Sequence, residues 1–253
     1  MLQKNNNLRI EQVDGYNYLR LDKLYTINGI KNYKAREFDE IMCDRYPNAN
    51  VYGVMSSSYS ESSLIVASLA RYYNKKCVVY YIKKTPVIEK AEQLGAKTVK
   101  LPVTRLSIGA PMAKKMFYKE YTRWSAFIAT GTANNEDIYE WTKQDAEEMK
   151  FVKDKIIHIN IGSGLTAVSL LSGWVNHRPK KVIFYETGMR PEYNKYESIL
   201  SLYNIQKIRM PWAYEDTVQF KDFNPIYDAK MVKMIYDRNV KDKDELITII
   251  GSV

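Results

Sequence analysis

Short apolar runs alternate along the chain with stretches whose apolar residues recur every three to four positions. Val51–Ser56 (VYGVMS) reads as a strand. Glu61–Tyr73 reads as a helix, with Leu64, Ala67, Leu69 and Ala70 near the helical period. Cys77–Ile82 (CVVYYI) is apolar, β-branched and aromatic throughout, the pattern of a strand buried on both faces. Thr85-Pro86 opens the next helix, Thr as cap and Pro in the first turn, and Gly95 closes it. Thr98–Leu101 is a short strand, Met112–Tyr121 helical, Ala126–Ala129 extended and Glu136–Val152 helical.

The second half repeats this logic. Strands are expected at Ile156–Ile161, Lys181–Tyr185, Ile208–Met210 and Glu245–Ile250. Helices are expected at Leu165–Trp174, Tyr193–Tyr203 and Pro225–Asp237. Strands separated by helices make βαβ units, so the fold class is α/β with mostly parallel sheets and helices on both faces. No Pro/Gly/Ser-rich tether interrupts the chain. Ligands in such sheets bind beyond the carboxyl ends of strands, which directs attention to the residues after Met55, Ile161, Tyr185 and Ile250.

Composition narrows the picture. The 253 residues are 45% hydrophobic and 26% charged, an ordinary globular balance. No apolar run approaches the roughly 20 residues of a membrane span, so no membrane partner is expected. The first residues lack the apolar segment of a secretory leader, and Cys43 and Cys77 make no disulfide framework. A reduced, cytoplasmic protein is the expectation. With only His158 and His177, no metal site is expected. The formal charge of +9 and the 21 tyrosines leave two readings open, a solvated basic surface or a nucleic-acid partner.

Three segments carry candidate chemistry. Gly162-Ser163-Gly164-Leu165-Thr166 follows a strand and opens a helix. Its glycines let the backbone approach an anion, and the helix N-terminus adds free N–H groups and a favourable dipole. It is neither a Walker motif nor GxGxxG, and a tight capped turn is the alternative. Lys31 and Lys34 lie in a turn before a helix, where a desolvated amine can form a Schiff base; a basic helix start is the alternative. Ser56 to Ser63 crowds hydroxyls and N–H groups between a strand and a helix, which suits a carboxylate or phenolic oxygen as well as a solvated cap.

The order and spacing of these pieces resemble the fold type II family of pyridoxal-phosphate (PLP) enzymes. That family includes tryptophan synthase β, cysteine and threonine synthases, 1-aminocyclopropane-1-carboxylate (ACC) deaminase and D-cysteine desulfhydrase. Tyr33-Lys34-Ala35-Arg36 is similar to its aromatic-Lys-x-Arg segment, and Arg20-Leu21-Asp22 to the element before it. Glu89–Pro102 (EKAEQLGAKTVKLP) resembles a family helix-Gly-Ala-strand run. Residues 162–166 resemble its GSGGT phosphate loop, and Lys181–Glu186 the strand that follows. Asn224 to Met231 is similar to a stretch of the deaminase and desulfhydrase branch. The likeness spans about residues 18–253.

The resemblance implies two parallel-sheet βαβ lobes with PLP in the cleft between them. The smaller lobe would take about residues 48–130, the larger about 1–47 and 131–253, within a single compact unit of 1–253. It implies Lys34 as the Schiff-base lysine and general base, and Gly162, Ser163, Gly164, Leu165 and Thr166 as the phosphate loop. Ser57, Ser58, Tyr59 and Ser60 would face the substrate, with Ser60 in the catalytic set. Ser252 would meet the pyridine nitrogen. Register puts Glu61 where the family has Asn beside the cofactor's phenolic oxygen, and a carboxylate there repels a phenolate unless one of them is protonated. A homodimer and a chain shorter than typical members are also implied. Three functions follow. The first is a PLP-dependent lyase, deaminase or decarboxylase acting on a small amine or amino acid. The second is a PLP enzyme acting on an amino-acid-modified base in DNA. The third is a non-catalytic relative.

Overall fold

The computed structural model describes residues 3–4, 10–27, 30–57, 60–129, 136–162, 164–187, 193–213, 216–221, 223–224, 227–239 and 241–252. In chain order the strands are β1 (Gln3–Lys4), β2 (Ile10–Val13), β3 (Tyr16–Arg20), β4 (Tyr25–Ile27), β5 (Ile30–Asn32), β6 (Val51–Met55), β7 (Lys76–Tyr81), β8 (Lys97–Lys100), β9 (Ser125–Ala129), β10 (Ile156–Ile161), β11 (Lys181–Glu186), β12 (Ile205–Arg209), β13 (Glu245–Ile249) and β14 (Gly251–Ser252). The α-helices are α1 (Ala35–Glu40), α2 (Ser62–Tyr72), α3 (Pro86–Gln93), α4 (Leu106–Glu120), α5 (Glu136–Glu147), α6 (Leu165–Gly173), α7 (Glu197–Leu200) and α8 (Asp228–Asp237). The chain divides into two compact units, one of residues 1–3, 25–30 and 34–132, the other of residues 4–24, 31–33 and 133–253.

The first unit is built on a four-stranded parallel sheet in the order β8-β7-β6-β9. Strand β7 is buried on both faces from Cys77 to Tyr80, as its unbroken apolar run requires. Helix α2 is buried from Ser62 through Ala70 and packs against β6, β7, α1 and α3. Helix α4 covers the other face, where Phe117, Ala113, Met55, Tyr80 and Phe127 form one core cluster. Gly53 permits this: a Cβ there would lie 2.5 Å from the Phe117 ring. Helix α3 has Thr85 at its N-cap position and Pro86 in its first turn, and Gly95 follows it in the left-handed region with φ 93°, as the sequence indicates; Thr85 makes no side-chain cap bond.

The second unit holds a six-stranded sheet in the order β12-β11-β10-β13-β3-β2. All neighbours run parallel except β2, which closes the edge antiparallel to β3. The central strands β10, β11 and β13 are almost wholly buried, while edge strands β2 and β12 are largely exposed. Helices α5 and α6 pack so closely that a Cβ on Gly173 would lie 2.5 Å from Ala146 Cβ. Helix α8 joins a core of Tyr16, Tyr18, Tyr185, Phe223, Ile247 and Ile249.

The α/β class with parallel sheets holds, and several boundaries move. The helix expected from Met112 begins at Leu106 and runs through Pro111. Pro111 lacks only the amide that would bond Ser107, and both residues are exposed, so the helix passes through. The helix expected over Tyr193–Tyr203 is a 3-10 turn followed by four α-helical residues. The helix expected over Glu136–Val152 stops at Glu147, before a short 3-10 turn at Lys150–Val152. No helix among the described residues is long and apolar enough to cross a membrane.

Candidate functional site

The glycine loop lies in the second unit, between the carboxyl end of β10 and the start of α6. Gly164 takes φ 93° and stands at the N-cap of the nine-residue α6, where it supplies no side-chain cap bond to the first-turn amides. Gly162 keeps the floor low, since a Cβ there would lie 3.3 Å from Tyr227 Cε1. The loop's entry is anchored by Thr187, whose amide and Oγ1 donate to the Ile161 carbonyl at 3.2 and 2.9 Å. Thr187 itself is fully buried.

Two further segments meet at this edge of the sheet. Asn224 Oδ1 accepts the Tyr227 amide at 3.1 Å, which fixes the turn before α8. Asp228 Oδ2 accepts the Ile250 amide at 3.0 Å and ties α8 to the end of β13. Strand β14 then pairs antiparallel with β5, Gly251 opposite Asn32 and Ser252 opposite Lys31. The Tyr33 amide donates to the Ile250 carbonyl at 3.0 Å. Two residues before Gly162, Asn160 is buried, and neither its Oδ1 nor its Nδ2 has a hydrogen-bond partner among the described residues. A buried amide with both ends unpaired is costly unless a ligand or water supplies the bonds.

The lysine and the serine-rich turn lie in the first unit. Lys34 is the residue from which α1 springs, and its carbonyl accepts the Phe38 amide at 3.3 Å. Arg36, two residues on, is held by Glu40 Oε1 at 2.6 Å and the Tyr25 hydroxyl at 3.1 Å. Glu37 sits one turn beyond Lys34. Burial pushes its carboxyl up to about 7, and the Lys34 ammonium pulls it the other way. Tyr73 donates to Asp39 Oδ1 at 2.5 Å, linking the end of α2 to α1. Glu61 precedes the first residue of α2 and makes no side-chain cap bond. The Ser60 amide donates to the Ser57 carbonyl at 2.9 Å, and Ser60 Oγ lies 3.0 Å from Ser62 Oγ. The buried hydroxyls of Ser56 and Ser63 bond each other at 2.7 Å and brace that turn.

The predicted set is thus carried in two groups. Lys34, Ser57, Ser60 and Glu61 lie in the first unit, and Gly162, Gly164, Leu165, Thr166 and Ser252 in the second. Ser58, Tyr59 and Ser163 lie outside the described residues, and only the backbone of Lys31 and Ser252 is described. Sequence reasoning did not single out Asn160, Tyr227 or Glu37. Asn160 had a readable signal, a polar interruption in the apolar run IIHINI. Tyr227 had a weaker one, its place in the segment similar to the deaminase branch. Glu37 had none, because its partial burial comes from packing. His158 is a core histidine, with Nδ1 3.0 Å from the Tyr185 hydroxyl and Nε2 3.3 Å from Glu245 Oε2.

No family model matches the chain, and no curated protein matches it in sequence. Solved structures do match. An ACC deaminase homologue superposes with a TM-score of 0.61 at 14% identity, over 81% of this chain and 74% of that one. A threonine deaminase from a T.th. strain gives 0.63 at 14% identity, over 94% and 87%. A pyridoxal 5'-phosphate-dependent aspartate racemase gives 0.55 at 14% identity, over 87% and 80%. The fold is that of the type II PLP enzymes, as the sequence resemblance implies. At these identities the likeness establishes the fold and leaves function to the site.

Proposed function

We propose that the chain is a PLP-dependent enzyme of the lyase or deaminase type, acting on an amine or amino acid. The observation that carries this reading is the glycine cradle at the N-terminus of α6. It combines a left-handed Gly164, a first turn that receives no side-chain cap bond from it and a Gly162 pressed beneath Tyr227. These features fit the phosphate of PLP: the first-turn amides lack partners within the helix, and the helix dipole favours an anion there. The unpaired amide of Asn160 supplies a further polar contact near this edge.

When bound, the pyridine ring supplies an electron sink for charge left at the substrate's α-carbon. The chain's own residues supply the rest. The amides of the α6 first turn and the Thr166 hydroxyl would hold the phosphate. Lys34 would be the attachment point, and its free amine would serve as general base toward the α-proton. Ser57 and Ser60 donate to the substrate carboxylate. Glu61 would face the phenolic oxygen, where only a protonated carboxyl could donate, and Ser252 would serve the pyridine nitrogen. The chain's absorbance with added PLP tests the reading, followed by borohydride trapping and peptide mapping. A visible band that is lost in Lys34→Ala, with the label on the Lys34 peptide, supports it. No band in the wild-type chain, or a label elsewhere, overturns the assignment of Lys34.

Glu61 favours a second reading, a relative that keeps the fold and binds a phosphate ligand without turnover. Turnover of any amine substrate would dispose of it. The formal charge of +9 favours a third, in which the amine is borne on a nucleic-acid base. Conversion of such a base by the loaded chain is its test.

A further inference from the structure

We propose that the outer face of α4, with Trp124 beside it, is a binding surface for single-stranded nucleic acid. The proposal concerns the first unit alone and stands whether or not the chain is a PLP enzyme. Residues 97–124 contain seven Lys and Arg (Lys97, Lys100, Arg105, Lys114, Lys115, Lys119 and Arg123) against the single acid Glu120. Six of the chain's nine net charges therefore fall in this one segment. Glu120 is itself engaged by Lys97 at 2.7 Å. Lys114, Lys115 and Lys119 are exposed and form no ion pair among the described residues.

The same surface displays large apolar groups. Ile108 is 54% exposed, Met116 and Tyr118 each 41%, and Trp124 62%. Trp124 is the sharper observation. Its φ of 53° is in the left-handed region, where a bulky side chain strains the backbone. The backbone is held there because the Trp124 carbonyl accepts the Asn50 amide at 2.6 Å and the Val51 amide at 3.3 Å. A turn of this shape suits Gly or Asn, yet it carries the most exposed large apolar side chain among the described residues. An exposed aromatic ring on a fixed backbone, four residues past the end of a helix that carries a row of lysines, offers a stacking platform to an electrostatic track.

The arrangement argues against two other occupants. A second copy meeting this face two-fold would set Lys114, Lys115 and Lys119 against their own counterparts. A helix lying in a lipid interface separates its apolar and basic faces. Here Lys115 and Lys119 follow Ile108 at seven and eleven residues, about two and three turns along the same line. Interleaved cations and apolar rings match a chain of phosphates and exposed bases.

The test is fluorescence anisotropy of a labelled oligothymidylate of about 20 nucleotides, titrated with the full chain at several salt concentrations. Affinity should fall linearly on a log–log plot with salt, by about 0.7 per phosphate neutralised. Replacing Lys114, Lys115 and Lys119 with Glu should weaken binding at least about tenfold and flatten the salt slope by about 2. Trp124→Gly should raise the melting temperature, because the strain is relieved, while lowering single-strand affinity more than duplex affinity. Lack of binding at low salt overturns the proposal. So does unchanged affinity in the charge variant, or equal loss on duplex and single strand in Trp124→Gly. Binding of phosphatidylserine vesicles without binding of the oligonucleotide would assign the face to a lipid surface instead.

Discussion

The ring of Tyr227 closes over Gly162: a methyl group added at that glycine would lie 3.3 Å from Tyr227 Cε1. The contact couples the floor of the anion cradle to the turn before α8, because Asn224 holds the Tyr227 amide at 3.1 Å. Gly162→Ala is expected to displace the ring by a few tenths of an ångström, at a cost of about 1 kcal/mol in stability. Affinity for PLP, read from the absorbance titration, should fall about tenfold. Tyr227→Leu should restore part of the stability of Gly162→Ala, since it removes the group in the way. Two substitutions in contact should therefore be non-additive in urea unfolding.

Asp22 supports the second unit from inside. Its carboxylate is fully buried and takes a two-point bond from Arg20, Nε to Oδ1 at 2.9 Å and Nη2 to Oδ2 at 2.7 Å. Arg20 also reaches Glu11 at 3.2 Å. Removing the Asp22 charge leaves Arg20 with Glu11 as its remaining ionic partner, at a cost of about 1–3 kcal/mol. Asp22→Asn should lower the urea midpoint accordingly. Glu11→Gln, at the more exposed end of the network, should cost less than about 1 kcal/mol. Similar losses from both would show that Asp22 is not the buried anchor.

Much of this was legible in the sequence, and the exceptions have physical causes. Strands β6, β7, β10 and β11 declared themselves because parallel strands buried on both faces are unbroken apolar runs. Strand β12 was caught only at its end, because an edge strand such as IQKIR carries half the apolar signal. The hairpin of β2 and β3 was missed, since IEQV is nearly all exposed. The glycine loop was found because its chemistry is a matter of backbone. Asn160 and Glu37 were not singled out, because burial across the sheet or under a helix belongs to the tertiary structure.

Glu37 should make stability depend on pH in a definite direction. Its carboxyl ionises near 4.5 in ordinary surroundings and at about 7 in the folded chain, through burial opposed by Lys34. The folded state then holds the proton more tightly than the unfolded one. Stability attributable to this group is full below about 4.5, falls as the pH rises, and levels off above about 7. Glu37→Gln should leave stability at pH 4 unchanged and raise it at pH 8 by about 1–3 kcal/mol. Lys34→Ala should push the Glu37 pKa higher still, because the opposing charge is gone. Carbon-detected NMR titration of labelled glutamate reads this shift, and an unmoved pKa would show that the two groups do not interact.

Asn160 offers the most discriminating variant, because its two expected effects have opposite signs. Its side chain is buried on a central strand with neither polar atom bonded among the described residues. An amide in that state destabilises the ligand-free chain, and an apolar group of similar size removes the penalty. Asn160→Leu should raise the stability of the ligand-free chain by about 1 kcal/mol, or about 2–4 °C in melting temperature at this length. If the amide serves the anion held two residues further on, the same variant should weaken binding of inorganic phosphate and of PLP several-fold. Calorimetric titration with phosphate reads the second effect without any need for turnover. A variant that is destabilised and binds phosphate normally would make Asn160 a packing residue. A variant that is stabilised and binds weakly would place it in the site.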